Sequence, residues 1–254
     1  MTSFSTNDSS TGCLYGISAG PGDPELISVK GLKYLQASPV VAFPAGVRQP
    51  QGIAQAIVSN WLQPDQIQLS LHFPMVSNPA DWRSAWQDAA EQTWQYLAKG
   101  MDVAFVSEGD VSFYSTFTYL AHTLRQQHPE LITEAIAGVC SPLAAAAALD
   151  MPLTVMNDRL AVLPAIYGID ELPTLRDWAD VLVLMKVGSV YQQVWEQLHR
   201  LNLLSVSALV IQASQPQQKI VKNLTHHQDL SPPYFSLLVV RLNPNSVLSG
   251  VSLQ

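Results

Sequence analysis

Charge is what this sequence has least of. Asp, Glu, Lys and Arg make up 13% of its 254 residues, against a usual share of roughly 25%. Hydrophobic residues make up 48%, and that balance excludes disorder, which needs low hydrophobicity together with high charge. Basic residues are scarcer than acidic ones, 13 Lys and Arg against 20 Asp and Glu, for a net charge of -7. No basic run exists to track a phosphate backbone, so general nucleic-acid binding is not expected. A small basic pocket stays open, because net charge says nothing about local arrangement. Cysteine is limited to Cys13 and Cys140. Without metal-ligand spacing, these are expected to be two buried thiols in a reducing compartment rather than a disulfide or a metal site. His226 and His227 are read as solvated loop residues, and no metal is expected. No apolar run approaches the ~20 residues that span a bilayer. The opening MTSFSTNDSSTG is polar and unlike a signal peptide. The expectation is a soluble cytoplasmic protein, away from membranes, with a disordered N-terminus over residues 1–12. Also missing are G-x-G-x-x-G spacing, a G-K-[ST] phosphate loop, a G-x-S-x-G elbow and any repeat of 20–50 residues.

Short β-branched runs alternate with helical patterns, the mark of parallel-sheet α/β architecture. Strands are predicted over 13–18, 39–43, 103–106, 132–136, 160–163, 181–185, 207–212, 219–221 and 234–242. A first helix is expected to start with Asp23 as cap, Pro24 in its first position and Glu25 favouring the dipole, burying Val29, Leu32 and Leu35. A second is signalled by Asn78 as cap, Pro79 and the stop at Gly100. Its stripe of Trp82, Trp86, Ala89, Thr93 and Leu97 reads as core. A third covers 115–127, and a fourth opens at Ser141-Pro142 into AAAAAL, whose small side chains admit a neighbouring backbone. The pattern divides near 137–141 into two α/β halves, 13–137 and 138–254. A ligand is expected between them, near the carboxyl ends of the strands. Three strand-to-helix junctions set glycine beside a carboxylate or hydroxyl: Gly20 to Asp23, Glu108 to Asp110, and Gly138 to Ser141. Those junctions point to a small-molecule site without naming a reaction.

LYGISAGPGDPELISVKGLKYLQ (14–36), EGDVSFYSTFTYL (108–120), AGVCSPLAAAAALDMPL (137–153), VLVLMKV (181–187) and PYFSLLVV (233–240) stand in order along nearly the whole chain. Together they resemble the tetrapyrrole methylases, and the S-F-Y-S-T-F form is similar to members acting at carbon 20 of precorrin-2 or cobalt-precorrin-2. The sequence departs from the family pattern at Val111 and Ala137, where proline is usual, and over Ile211 to Ser214. The resemblance implies two αβα domains forming a homodimer, with S-adenosylmethionine as methyl donor between them. It places that cofactor against Pro21, Glu108, Gly109, Asp110, Phe113, Cys140, Ser141, Met185 and Ala213. Taken singly, Pro21 is also a loop stiffener, Phe113 and Met185 core, and Asp110 a helix cap.

The implied reaction has an electron-rich meso carbon attack an already activated methyl. Orientation and exclusion of water then supply the catalysis, about 7–11 kcal/mol of it from orientation. Tyr114, or a carboxylate near Glu108, is the candidate acceptor of the proton leaving carbon 20, with bulk water as the alternative. Arg48, Arg159 and Lys186 are candidates for receiving the substrate's carboxylates. Methylation of another tetrapyrrole carbon, and a non-catalytic small-molecule binding module, are the competing readings.

Overall fold

The computed structural model describes residues 11–45, 52–73 and 79–242, with no side-chain description for 79–81. Residues 1–10, Arg48 and Asn78 lie outside the described residues. The chain divides into two compact units, Met1–Cys140 and Ser141–Gln254.

The first unit runs β1 (Leu14–Ser18), α1 (Val29–Ala37), β2 (Val40–Ala45), α2 (Ile53–Val58), β3 (Ile67–His72), α3 (Pro79–Leu97), β4 (Val103–Ser107), α4 (Phe117–Gln127) and β5 (Thr133–Ile136). Its sheet has the order β3-β2-β4-β1-β5 and is parallel throughout. Helices cover both faces, so the inner strands are apolar on both, and β4 is buried along its length. Alternation along β1 sends Leu14 toward Phe105, Phe117, Leu120 and Leu124, and Ile17 toward Val41, Phe43 and Ile57. A Cβ on Gly16 would stand 2.6 Å from the Phe117 ring, so glycine in mid-strand is what seats α4 on the sheet.

Three expectations change here. Pro24–Leu26 forms only a 3-10 turn, in which Glu25 N–H donates to the Asp23 carboxylate at 2.9 Å. Ile27 and Ser28 are then extended, and α1 starts at Val29 with Gly31 N–H donating to Ser28 Oγ at 3.0 Å. Ser28 therefore supplies the α-helical cap, and Val29 is left 73% exposed while Leu32 and Leu35 pack inward. On α3, Ala89, Thr93 and Leu97 are buried, but Trp82 and Trp86 are only half-buried. Trp86 stacks flat on Tyr119 of α4, ring centres 4.4 Å apart, so these rings cover a neighbouring helix rather than the sheet. The edge strand β3 went unread because, of its six residues, only Leu71 is buried. At the other end of α3 the stop is as read: Gly100 is left-handed, at φ 77°, and its N–H donates to Leu97 O.

The second unit runs α5 (Ser141–Ala148), β6 (Leu160–Pro164), α6 (Ala165–Gly168), α7 (Leu172–Arg176), β7 (Val181–Met185), α8 (Tyr191–Arg200), β8 (Ser207–Ile211), β9 (Lys219–Lys222) and β10 (Ser236–Arg241). Its sheet order is β6-β7-β10-β8-β9. Only β6 and β7 pair in parallel; β10 is antiparallel to β7 and β8, and β8 to β9. The all-parallel expectation therefore fails in this unit. The link from β8 to β9 is a hairpin loop, too short for the crossover that parallel strands need. Leu182, Leu184, Val194, Leu198, Leu209 and Leu238 form the core between this sheet and α8. At the end of β10, Arg241 pairs with Asp158 at 3.1 Å, with side chains 13% and 8% exposed. Arg241 also donates to Pro152 O, and Asp158 accepts from Val155 N–H at 3.0 Å.

The Tyr191 hydroxyl donates to His227 O at 2.7 Å, and burial pushes its pKa up to about 12. A phenol raised in the folded state contributes stability that is intact below the unfolded value of about 10 and is lost as pH rises through the folded one. Unfolding midpoints should fall between about pH 10 and 12, and more shallowly in Tyr191→Phe. The flattening is partial, since burial also raises Tyr15. Identical alkaline slopes in parent and variant would remove Tyr191 from this account.

Candidate active site

Strands β4, β1 and β5 are neighbours in the sheet, so the three glycine-bearing junctions emerge side by side at its carboxyl edge. Gly20 and Gly109 close a two-way backbone bridge across the first two, with N–H to O distances of 3.2 and 2.9 Å. Both are left-handed, at φ 78° and 73°, which glycine adopts without steric cost. A Cβ on Gly109 would meet nothing within 4 Å. Both glycines are buried, so the bridged turn leaves room beside bare backbone, the close approach a ligand needs.

Asp110, 8% exposed, is the hub behind that turn. Its Oδ1 accepts from Ser112 N–H at 2.8 Å and from the Ser112 hydroxyl. Its Oδ2 accepts from Gly138 N–H at 2.7 Å and stands 3.4 Å from Ser18 Oγ. Burial by itself would raise this carboxyl's pKa, but the hydrogen bonds from Ser112 and Gly138 outweigh it and hold the group below the ordinary carboxylate value. Ser18, wholly buried, donates to Ile136 O at 2.7 Å and accepts from Val111 N–H at 3.0 Å. Sequence reading did not single out Ser18. Its only local signal is a polar residue closing an apolar strand ahead of GPGDP.

Pro21 is buried in the first loop, and Glu108 and Phe113 are half-buried in the second. Tyr114 packs edge-on against Phe113, ring centres 4.9 Å apart, and is 49% exposed. It is left-handed at φ 54°, and α4 begins only at Phe117. A turn, not a helix, therefore sets the direction of Tyr114. Left-handed non-glycine residues cost of order 1 kcal/mol or more and gather at functional sites. Cys140 and Ser141 close the third junction, and both thiols of the chain are free and half-buried rather than buried.

In the second unit β6, β7 and β8 end where β10 begins, with Pro164 opposite Met185, Met185 opposite Leu237 and Ile211 opposite Ser236. Met185 and Ala213 are buried at this edge. Lys186, Gln212 and Ser214, all left-handed, stand beside them. The Lys186 ammonium lies 5.7 Å from the centre of the Tyr234 ring. Arg159 does not join Lys186. It precedes β6 at the opposite edge, roughly 20 Å away at ~3.3 Å per residue, where it pairs with Asp180 at 3.3 Å. Among the described residues no group of His, Cys, Asp and Glu is placed to hold a metal ion, and no helix is long and apolar enough to cross a membrane.

An open backbone turn at the carboxyl edge of a parallel sheet defines an α/β protein built to hold a small ligand. The chain belongs to the Tetrapyrrole (Corrin/Porphyrin) Methylases, whose family model matches residues 13–227. It is 31% identical over 230 residues to the cobalt-precorrin-2 C(20)-methyltransferase of Salmonella typhimurium, covering 90% of this chain and 96% of that protein. It is 33% identical over 242 residues to the cobalamin biosynthesis protein CobIJ of Mycobacterium tuberculosis, covering 91% of this chain. The match takes in 46% of that protein, so the chain spans about half the length of this relative. The crystal structure of a cobalt precorrin-4 methyltransferase has the same fold, with a TM-score of 0.69 at 22% identity, covering 91% of this chain and 96% of that one.

Proposed function

We propose that this protein transfers a methyl group from S-adenosylmethionine to carbon 20 of precorrin-2 or cobalt-precorrin-2 in cobalamin biosynthesis. The observation that carries the proposal is the open backbone face at Gly109, in a chain similar along almost its entire length to an enzyme named for that reaction. The residues present fit the cofactor: glycine where backbone must approach a ligand, and buried apolar side chains at Met185 and Ala213. When bound, S-adenosylmethionine supplies a methyl already activated by its sulfonium, so no nucleophilic side chain is required.

On this reading the cofactor is held by Pro21, Glu108, Gly109, Asp110, Phe113, Cys140 and Ser141, together with Met185 and Ala213. The backbone of Gly109 and Asp110 binds, the apolar residues exclude water, and Tyr114 orients the macrocycle or accepts the proton that leaves carbon 20. Lys186 receives a substrate carboxylate, as does Arg48, whose position lies outside the described residues. The enzyme works as a cytoplasmic homodimer.

Calorimetry with S-adenosylhomocysteine should show one site per chain, and a hundredfold excess over Kd should stabilise the fold by about 2.7 kcal/mol. No binding at near-neutral pH would end the methyltransferase reading. In Tyr114→Phe, turnover on precorrin-2 should fall about 100-fold, in the range of a lost general base, with Kd for S-adenosylhomocysteine unchanged. Full turnover in that variant would reduce Tyr114 to packing. Rates on metal-free and cobalt-loaded substrate decide between the two tetrapyrroles.

A further inference from the structure

We propose that Ser18 and Asp110 are positioning residues that act together: a buried hydroxyl and carboxylate that stitch the loop after β4 to the end of β5 and so set the shape of the cofactor-binding backbone. The proposal rests on the reading that this edge binds S-adenosylmethionine.

The hydrogen-bond inventory carries it. Both Asp110 oxygens are taken by the protein's own donors, Ser112 on one side and Gly138 on the other. Ser18 has one proton to give, and the 2.7 Å contact to Ile136 O takes it in preference to the 3.4 Å contact to Asp110. Its oxygen then accepts from Val111 N–H. The segment 110–111 is thus tied to 136–138 twice, once through Asp110 to Gly138 N–H and once through Ser18 to Ile136 O. Gly138 can come this close because it lacks a side chain; a Cβ there would stand 2.4 Å from Ser18 Cβ. Ser18 has no accessible surface, so no ligand touches it. It can influence ligand affinity only through the loops it holds. Asp110 offers a ligand its backbone, beside the open face of Gly109, while its carboxylate faces inward.

Removing either tie leaves an N–H, buried at Val111 or half-buried at Gly138, without its acceptor, and the loop shifts to find water. Because both ties hold the same two segments, losing the second after the first should matter little. An aspartate acting as a direct ligand beside an inert core serine gives independent effects instead.

The test uses the full chain as purified and S-adenosylhomocysteine as the probe, titrated well below the unfolding midpoint into the parent, Ser18→Ala, Asp110→Asn and the double variant. Each single change should raise Kd about tenfold, and the double variant should stay near the weaker single rather than reach about 100-fold. Ser18→Ala with parental Kd and only a lowered midpoint would overturn the proposal, as would fully multiplicative effects. Hydrogen exchange on the ligand-free parent gives a second arm that needs no variant. Val111 and Gly138 amides should exchange slowly; if either exchanges as an open loop does, the stitch does not exist. A parent protein that fails to bind the probe counts against the cofactor reading, and the exchange arm still decides the stitch.

Discussion

Arg241→Ala is expected to lower the stability of the fold by about 3 kcal/mol. Its guanidinium is nearly buried against Asp158 and also donates to Pro152 O, so truncation strands the buried carboxylate. Breaking a buried pair from one side costs more than the pair is worth, because the surviving charge stays desolvated. Arg241→Met combined with Asp158→Asn should recover most of the loss. The amide removes the orphaned charge yet keeps an oxygen for Val155 N–H. Chemical denaturation of the parent, the single and the double variant checks this. A double variant as unstable as Arg241→Ala would show that the stranded charge does not set the cost.

Gly138→Ala is the second large loss. The added methyl meets Ser18 Cβ at 2.4 Å and Ser18 O at 3.2 Å. Ser18 belongs to β1, held between β4 and β5, and cannot retreat. The third loop must lift, at an overpacking cost of about 1–3 kcal/mol, and its N–H leaves the Asp110 carboxylate, costing about 1.5–3 kcal/mol more. The pH dependence identifies the second part. A carboxyl whose folded pKa is depressed adds stability above its unfolded value of about 3.9, and this is lost as pH falls through the folded pKa. Lifting Gly138 relaxes the depression, so the gap between parent and variant should be widest at neutral pH and narrow below about pH 4. A gap of constant size across that range would mean the methyl acts by volume alone.

The resemblance carried the family, and periodicity carried most strands of both units to within a residue or two. What stayed illegible is instructive. The three glycine junctions could be read one at a time, but their adjacency depends on β1 lying between β4 and β5, which no local pattern encodes. Ser18 and Asp110 are 92 residues apart in sequence, so neither reveals the other. The helix expected from residue 115 begins only at Phe117, because Ser115 Oγ, accepting from Phe117 N–H, delays the start. Arg159 was offered for the substrate on charge alone, and only the register of β6 shows which end of its sheet it occupies. The antiparallel half of the second sheet was hidden because buried strands read as apolar runs whichever way they point.

The placement of β1 also orders events during synthesis. It has both lateral partners far downstream in the chain, and Ser18 meets Val111 only 93 residues later. Until then an apolar five-residue strand must wait with two bare edges, a surface open to pairing with the wrong chain. Such distant pairings form late, since loop closure precedes any reward. Joining the three glycine junctions is therefore a finishing step of the first unit. A nascent chain stopped short of β5 would leave the Ser18 hydroxyl without its carbonyl and the Asp110 carboxylate without Gly138. Stalled or truncated products should accordingly be cleared or aggregate rather than persist as partial binders that sequester the methyl donor.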